Sequence, residues 1–331
     1  MKKYNVYGIG NALVDMEFEI SAEQLQEFQI DKGVMTLVDE MRHWDLVDRL
    51  KTLPSKRICG GSAANSMVAV SQFGGKAYYS CKVAADETGS FFLEDLLRCG
   101  VETNLQHQPR EDGITGKCLV FVTPDADRTM NTFLGIAGNL ATSELVEEEL
   151  KDSEYLYIEG YLMPSPTGKE AAIRAREMAE EAGVKTSLSL SDPNMAEFFK
   201  EPLLKVIGSG LDFIFANETE VLKLAETENI NDGIAYLKTL TKCFAVTRGS
   251  QGSLIFDGEK MLEIAPVTVE AIDTVGAGDM YAGAFLYGIT HGMSFTEAGN
   301  LASRAAAKVV SRFGPRMATE ALQSLLSNPS G

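Results

Sequence analysis

The chain has 331 residues, with 45% hydrophobic and 23% charged residues, which gives a globular protein of one large domain, or one domain with a small accessory piece. A formal charge of −17 excludes a nucleic-acid-binding or anionic-membrane surface, so any nucleotide has to be held by local donors and a metal ion. Five scattered cysteines without a CxxC and three distant histidines offer neither a disulfide framework nor zinc-ligand spacing, and they suit a reducing, cytoplasmic setting.

The first strand covers residues 4–10 and ends in Gly8-Ile9-Gly10, so no signal-peptide core is expected after Met1-Lys2-Lys3. No apolar run reaches the length of a membrane span. Residues 13–20 alternate in part and predict a second strand; Ser21 with Gln24 then forms a capping box for a short helix. Residues 33–38 are strand-like and 39–53 helical. Beyond Ile58, Gly60-Gly61 lead into a helix over 62–73, stopped by Gly74-Gly75. A strand over 77–83 and a helix over 89–99, closed by Gly100, come next. Residues 115–123 and 128–134 predict a hairpin around Pro124-Asp125-Ala126-Asp127.

From residue 155 the rhythm is regular. A strand over 155–159, a helix over 167–182 and a strand over 185–190 are followed by strands at 213–216 and 243–247 with helices between, then a β-rich piece over 253–269. The first of two long helices covers 280–291, with Ala282, Phe285, Leu286 and Ile289 on one stripe. The second opens with the capping box of Ser294 and Glu297 and ends near Gly314-Pro315. Strands alternating with helices predict an α/β fold, a parallel sheet covered on both faces. No internal repeat or low-complexity linker divides residues 1–331. The strands at 13–20, 33–38, 115–123 and 128–134 fit this rhythm poorly. They predict a second, small sheet drawn from about 12–38 and 113–135.

The most informative string is Asp273-Thr274-Val275-Gly276-Ala277-Gly278-Asp279. Its glycines sit where an apolar helix begins, so backbone N–H groups and the helix dipole together favour an anion there. Glycine also lets a ligand approach the backbone. Asp279 inside that turn is suited to taking a proton from a hydroxyl while the N–H groups hold the phosphoryl group under attack. A glycine-rich turn with an acid favoured by the dipole is the plainer reading of the same residues.

Other segments bear on the same chemistry. Gly8-Ile9-Gly10 lacks the third glycine and the helix of a dinucleotide fingerprint, and no GxxxxGK[ST] loop occurs. Asp15 suits a vicinal diol, since a carboxylate accepts two hydrogen bonds, but it also suits a solvated strand edge. Cys59-Gly60-Gly61-Ser62-Ala63-Ala64-Asn65 is a turn into a helix of small residues, with Asn65 one turn in. Asn217-Glu218-Thr219-Glu220 follows a strand and caps a helix, which by itself explains Asn217. Thr247-Arg248-Gly249 ends another strand, with Gly252 close behind. Arg128 stands beside Asp125 and Asp127 as a hairpin charge, and Met130, Thr132 and Leu134 share one face of their strand.

Taken in order from Gly8 to Asn300, these strings resemble the signatures of the ribokinase and adenosine kinase family, the PfkB family. The resemblance implies a ribokinase-like, doubly wound, mostly parallel sheet with helices on both faces, the small sheet serving as a lid over the substrate. It implies ATP-dependent phosphorylation of a sugar or nucleoside hydroxyl. Asp279 is then the general base, and Gly276, Ala277 and Gly278 form the anion hole, with Thr274 beside the phosphates. Asn11, Asp15, Gly60, Gly61 and Asn65 grip the sugar. Met130, Thr132 and Leu134, with Leu162, form an apolar shelf for a nucleoside base, and Arg128 reaches the transferring phosphoryl group on closure. Asn217 and Glu220 place Mg²⁺, mostly through water. Thr247, Arg248, Gly249 and Gly252 touch ATP, and Asn300 lies near its adenine. The resemblance also allows K⁺ near the signature, around Asp273 and residues 311–314.

The opening segment and the apolar shelf favour adenosine, phosphorylated on its 5′-hydroxyl to give AMP and ADP. Asp192-Pro193-Asn194 favours a free sugar such as ribose, fructose or a keto-sugar acid. A nucleoside or nucleotide sensor without turnover is the non-enzymatic alternative. Beyond ATP and its acceptor no nucleic-acid or membrane partner is expected, and the chain is expected to be a monomer or a lid-mediated homodimer.

Overall fold

The computed structural model describes residues 2–32, 35–124 and 128–327, with the backbone alone at Arg128. In chain order the strands are β1 (Tyr4–Ile9), β2 (Leu13–Glu19), β3 (Met35–Leu37), β4 (Lys56–Gly60), β5 (Ala77–Ser80), β6 (Glu102–Thr103) and β7 (Thr115–Val122). They continue with β8 (Arg128–Gly135), β9 (Ser153–Glu159), β10 (Lys185–Ser189), β11 (Leu211–Asn217), β12 (Thr241–Thr247), β13 (Ser253–Phe256) and β14 (Met261–Ile264).

The larger sheet runs β14-β13-β12-β11-β10-β9-β1-β5-β6. It is parallel from β12 through β6, and β13 and β14 close one edge as antiparallel strands. Its strands are apolar on both faces, as a sheet sandwiched between helices requires. Tyr155 and Tyr157 of β9 point into one core and Leu156 and Ile158 into the other. On the first face lie the helices Ser62–Gln72, Ala277–Thr290 and Phe295–Val310; on the second, Pro166–Glu181, Lys200–Ile207 and Glu218–Ala225. The chain leaves central β1 for β5 and β6 on one side, then crosses to β9 and beyond on the other. Such a reversal opens a crevice at the carboxyl ends of the strands.

The smaller sheet runs β3-β8-β7-β2-β4. The expected strands all enter it, but so does β4, which pairs antiparallel with β2 from Leu13↔Gly60 to Glu17↔Lys56. The smaller sheet is therefore drawn from three stretches of the chain, not two. Lys-Arg-Ile-Cys-Gly alternates too briefly to announce a strand. One face of this sheet packs Phe18, Leu119 and Phe121 against Leu25, Leu46 and Leu50 of its own flanking helices, Ala22–Glu27 and Glu40–Leu50, and against Phe28, which caps the first of them. The other face looks across the crevice. Residues 33–34 and 125–127, which sequence reading placed in a strand and a turn, lie outside the described residues.

The helix carrying Asp279 begins at Ala277, three residues before the expected start at residue 280, with Gly276 as its N-cap at φ 79°. A side chain at Gly276 would also collide with Pro315. This helix packs on Ser62–Gln72 through Gly283, where a Cβ would stand 2.6 Å from both the Ala69 Cβ and the Ser66 carbonyl oxygen. That close approach brings the first turns of the two helices side by side.

Candidate active site

A cleft of about 640 Å³ occupies the crevice at the carboxyl ends of β1, β9, β10, β11 and β12, beneath the smaller sheet. Its floor is polar, with Asn11, Gly61, Asn65, Glu159 and Asp279, and Asp15 of β2 adds a carboxylate from the smaller sheet above. Its roof is the inner face of the smaller sheet, where Met35, Leu37, Met130, Thr132 and Leu134 alternate inward. A second cleft of about 320 Å³ opens beside it, lined by Pro266, Val267, Val269, Ala306, Ala307 and Val310 among others. The two meet at Thr247, Gly249, Thr274, Ala277, Gly278 and Tyr281. The junction is thus the N-terminus of the Ala277–Thr290 helix, whose first N–H groups favour an anion. No lysine or arginine lines either cleft among the described residues.

Asp279 stands at that junction. Ser62 Oγ–H donates to its Oδ1 at 2.6 Å, and Asn65 Nδ2–H donates to its Oδ2 at 3.0 Å. Burial pushes the carboxyl up to about 6, while those two donors and the charge of Arg316 pull it down. Each oxygen keeps a lone pair for a substrate hydroxyl. The carboxylate can therefore act as a base near neutral pH.

Asn65 itself is committed on both sides, because its Oδ1 accepts from Arg316 Nε at 2.8 Å. Its grip on a sugar is left to the second Nδ2 hydrogen and the second Oδ1 lone pair. Asn11 lines the cleft, with its Nδ2 donating to the Tyr161 carbonyl at 3.1 Å. Gly61, at φ 93°, lies so close to the Asn11 carbonyl that a Cβ would collide with it. Gly60 supports the site from behind: a Cβ there would lie 2.6 Å from both Asp15 carboxylate oxygens.

Asn217 and Glu220 hold one another in a capping box. Glu220 accepts from the Asn217 backbone N–H at 2.9 Å and from its Nδ2 at 2.7 Å. Burial raises the Glu220 carboxyl to about 7. Among the described residues no cluster of three His, Cys, Asp or Glu side chains is arranged to ligate a metal directly. The pair fits a hydrated Mg²⁺ met through its water, the usual habit of that ion. The Asp273 carboxylate bridges the signature to the following turn, accepting from Val275 N–H at 3.1 Å and Gly314 N–H at 2.8 Å.

Three expected residues stand elsewhere. Leu162 is 1% exposed and packs in the second core, not on the shelf; its neighbours Tyr161 and Pro164 line the cleft instead. Arg248 is drawn to Glu218 Oε2 at 3.1 Å and Gln251 Oε1 at 2.6 Å, outside both clefts. Asn300 is exposed and lines neither cleft, whereas Ser303, Ala306 and Ala307, one to two turns on, line the second. The Arg128 side chain lies outside the described residues.

Sequence reading missed Glu159. This carboxyl ends β9 at 1% exposure and accepts from Ala63 N–H at 2.7 Å and Asn11 N–H at 3.3 Å. Burial pushes it up to about 8. Its signal was a lone acid after Tyr-Leu-Tyr-Ile, at the end of a strand that is buried throughout.

Comparison with known proteins agrees with this geometry. The family model described as pfkB family carbohydrate kinase matches residues 54–322. The crystal structure of adenosine kinase from Sinorhizobium meliloti superposes with a TM-score of 0.90 at 34% identity, covering 99% of this chain and 100% of that one. A probable sugar kinase protein from Rhizobium etli gives a TM-score of 0.90 at 33% identity, covering 99% of each chain. Adenosine kinase from Saccharomyces cerevisiae is 26% identical, over 94% of this chain and 96% of its own length.

Proposed function

The chain belongs to the pfkB family of carbohydrate kinases, and from that premise we propose that it transfers the γ-phosphoryl group of ATP to the 5′-hydroxyl of a nucleoside, adenosine, giving AMP and ADP. The observation that supports this reading is the pairing of polar groups suited to a diol with an apolar stretch of the roof. Asp15 and Gly61 offer acceptors and backbone to ribose hydroxyls, while Met35, Leu37, Met130 and Leu134 offer a purine a surface that a free sugar cannot use.

In this reading the acceptor fills the larger cleft and ATP the smaller, its adenine among Pro266, Val267, Val269 and Ala307. Asp279 takes the proton of the 5′-hydroxyl as the oxygen attacks, held in aim by Ser62 and Asn65. The backbone amides at Gly276 and Gly278 face the charge that develops on the phosphoryl oxygens, and that of Ala277, which donates to the Thr274 carbonyl at 3.2 Å, turns to them only by giving up that bond. Asn217 and Glu220 would meet Mg²⁺ through its water, and the ion would supply further neutralisation of the ATP phosphates. Closure of the smaller sheet excludes water and brings Arg128 toward the phosphoryl group.

A sugar kinase is the second reading, favoured by two further polar groups on the cleft wall, Glu159 and Asp192. An acceptor panel of nucleosides and free sugars, assayed for ATP-dependent phosphate transfer, decides between them. Adenosine is expected to lead. Equal or better use of ribose, fructose or a keto-sugar acid overturns the nucleoside assignment. ATP binding without phosphorylation of any acceptor would make the chain a sensor.

A further inference from the structure

Arg316 lies two residues beyond Gly314, outside every motif that the site residues came from, yet it reaches the centre of the site. Its Nε donates to Asn65 Oδ1 at 2.8 Å, and its Nη1 pairs with the Asp95 carboxylate. Both partners of that ion pair are about nine-tenths buried, at 12% side-chain exposure each. The chain of bonds therefore runs Asp95, Arg316, Asn65, Asp279, tying the Glu87–Arg98 helix and the C-terminal segment to the base.

The direction of the Asn65 amide is the point. An asparagine side chain can be turned over to exchange its oxygen and nitrogen. With Oδ1 facing Asp279, two acceptors would oppose one another and the carboxylate would lose a donor. Arg316 has no acceptor to offer, so it binds Oδ1 and leaves Nδ2 for Asp279. Asp95 in turn holds the guanidinium, whose planar fork would otherwise be free to rotate.

We propose that Arg316 is a positioning residue of the phosphoryl-transfer site, fixing Asn65 in the one orientation that donates to Asp279. The proposal rests on Asp279 being the base of the reaction stated above. It adds a second effect, because a guanidinium charge so near favours the ionised carboxylate, against the like charges of Glu159 and Glu220; Asp192 lines the same cleft. Tyr157, Tyr79 and Tyr161 complete its titratable surroundings.

The test is a double-mutant cycle with R316Q and N65A, reading kcat, KM for ATP and the pH dependence of kcat for the best acceptor. R316Q is expected to lower kcat on the order of 10²-fold, the effect of a slightly misplaced catalytic group, with KM for ATP little changed. The acid limb of kcat is expected to move to higher pH. Because Arg316 acts through Asn65, the double variant should be no slower than N65A alone. A merely structural arginine would lower the melting temperature and leave both the acid limb and the cycle untouched. If removing one partner of the buried pair prevents folding, D95N/R316Q removes both charges and enters the same cycle. Wild-type kcat and acid limb in a folded variant, or losses that multiply in the double variant, overturn the proposal. A wild-type protein that phosphorylates no acceptor fails the reaction reading instead, before any variant is compared.

Discussion

Asn65 Nδ2 lies 3.0 Å from Asp279 Oδ2, although the two residues are 214 positions apart in the chain. The bond crosses the seam of two helices that touch at Gly283 and Ala69. The base is thus held by a helix from the first third of the protein. Substituting the base itself, Asp279→Asn, should preserve the fold and ATP binding while lowering turnover on the order of 10²–10⁴-fold. Calorimetric ATP titration and kcat on one preparation check this, and near-normal kcat would remove Asp279 from the role of base.

Gly276 and Gly278 should respond differently to alanine. At Gly276 the backbone is left-handed and a Cβ meets Pro315, so Gly276→Ala should cost about 1–3 kcal/mol of stability. At Gly278 a Cβ meets no protein atom within 4 Å. Gly278→Ala should therefore melt no lower than the wild type, yet lose turnover on the order of 10²-fold, because the methyl enters the space assigned to the phosphoryl group. Thermal melts beside kcat measure both. A destabilised Gly278→Ala with full specific activity would contradict the assignment.

The buried carboxyls give the protein an unusual pH dependence. Asp279, Glu220 and Glu159 have folded-state values of about 6, 7 and 8, all above the ordinary carboxyl range. The native state therefore binds more protons than the unfolded chain between about pH 4 and 8. Their contribution to stability is full below the unfolded values and is lost as pH rises through the folded ones. His43 works in the opposite sense, since burial lowers it to about 4 and its stabilisation is lost as pH falls toward that value. The difference in melting temperature between Glu159→Gln and wild type should consequently shift in favour of the variant from pH 5 to pH 9. A flat difference would mean that Glu159 is ionised throughout.

Substrate choice is tested at the roof of the cleft. Burying a purine is worth roughly 25 cal/mol per Å² before ordering costs, so adenosine should exceed ribose in kcat/KM on the order of 10²-fold. Leu134→Asp places a carboxylate against the base without a partner and should cut adenosine turnover sharply, with less effect on residual ribose turnover. Asp15→Ala should harm both, since both acceptors present hydroxyls to it. Untouched adenosine kinetics in Leu134→Asp would leave the sugar-kinase reading in place.

What could be read in the sequence was local. The turn at Gly276 and Gly278, the capping box of Asn217 and Glu220, and the inward face of Met130, Thr132 and Leu134 are each set by neighbours within a few residues. What could not be read depends on distant segments meeting. Strand β4 is a strand because β2 pairs with it. Arg316 matters because Asn65 is beside it. Leu162 is apolar for the second core, and nothing in its own neighbourhood separates that use from a shelf. Arg248 resembled a phosphate partner until Glu218, thirty residues upstream, took its charge.

The smaller sheet carries a core of its own, built of Phe18, Phe121, Leu46 and Leu50. Its strand β4 ends at Gly60 and passes through the single residue Gly61 into the helix bearing Ser62 and Asn65. The roof and the seat of the base are consecutive in the chain, like the two arms of a lever with its fulcrum at a glycine. Any displacement of the roof would therefore be passed through Gly61 to the helix that carries Ser62 and Asn65.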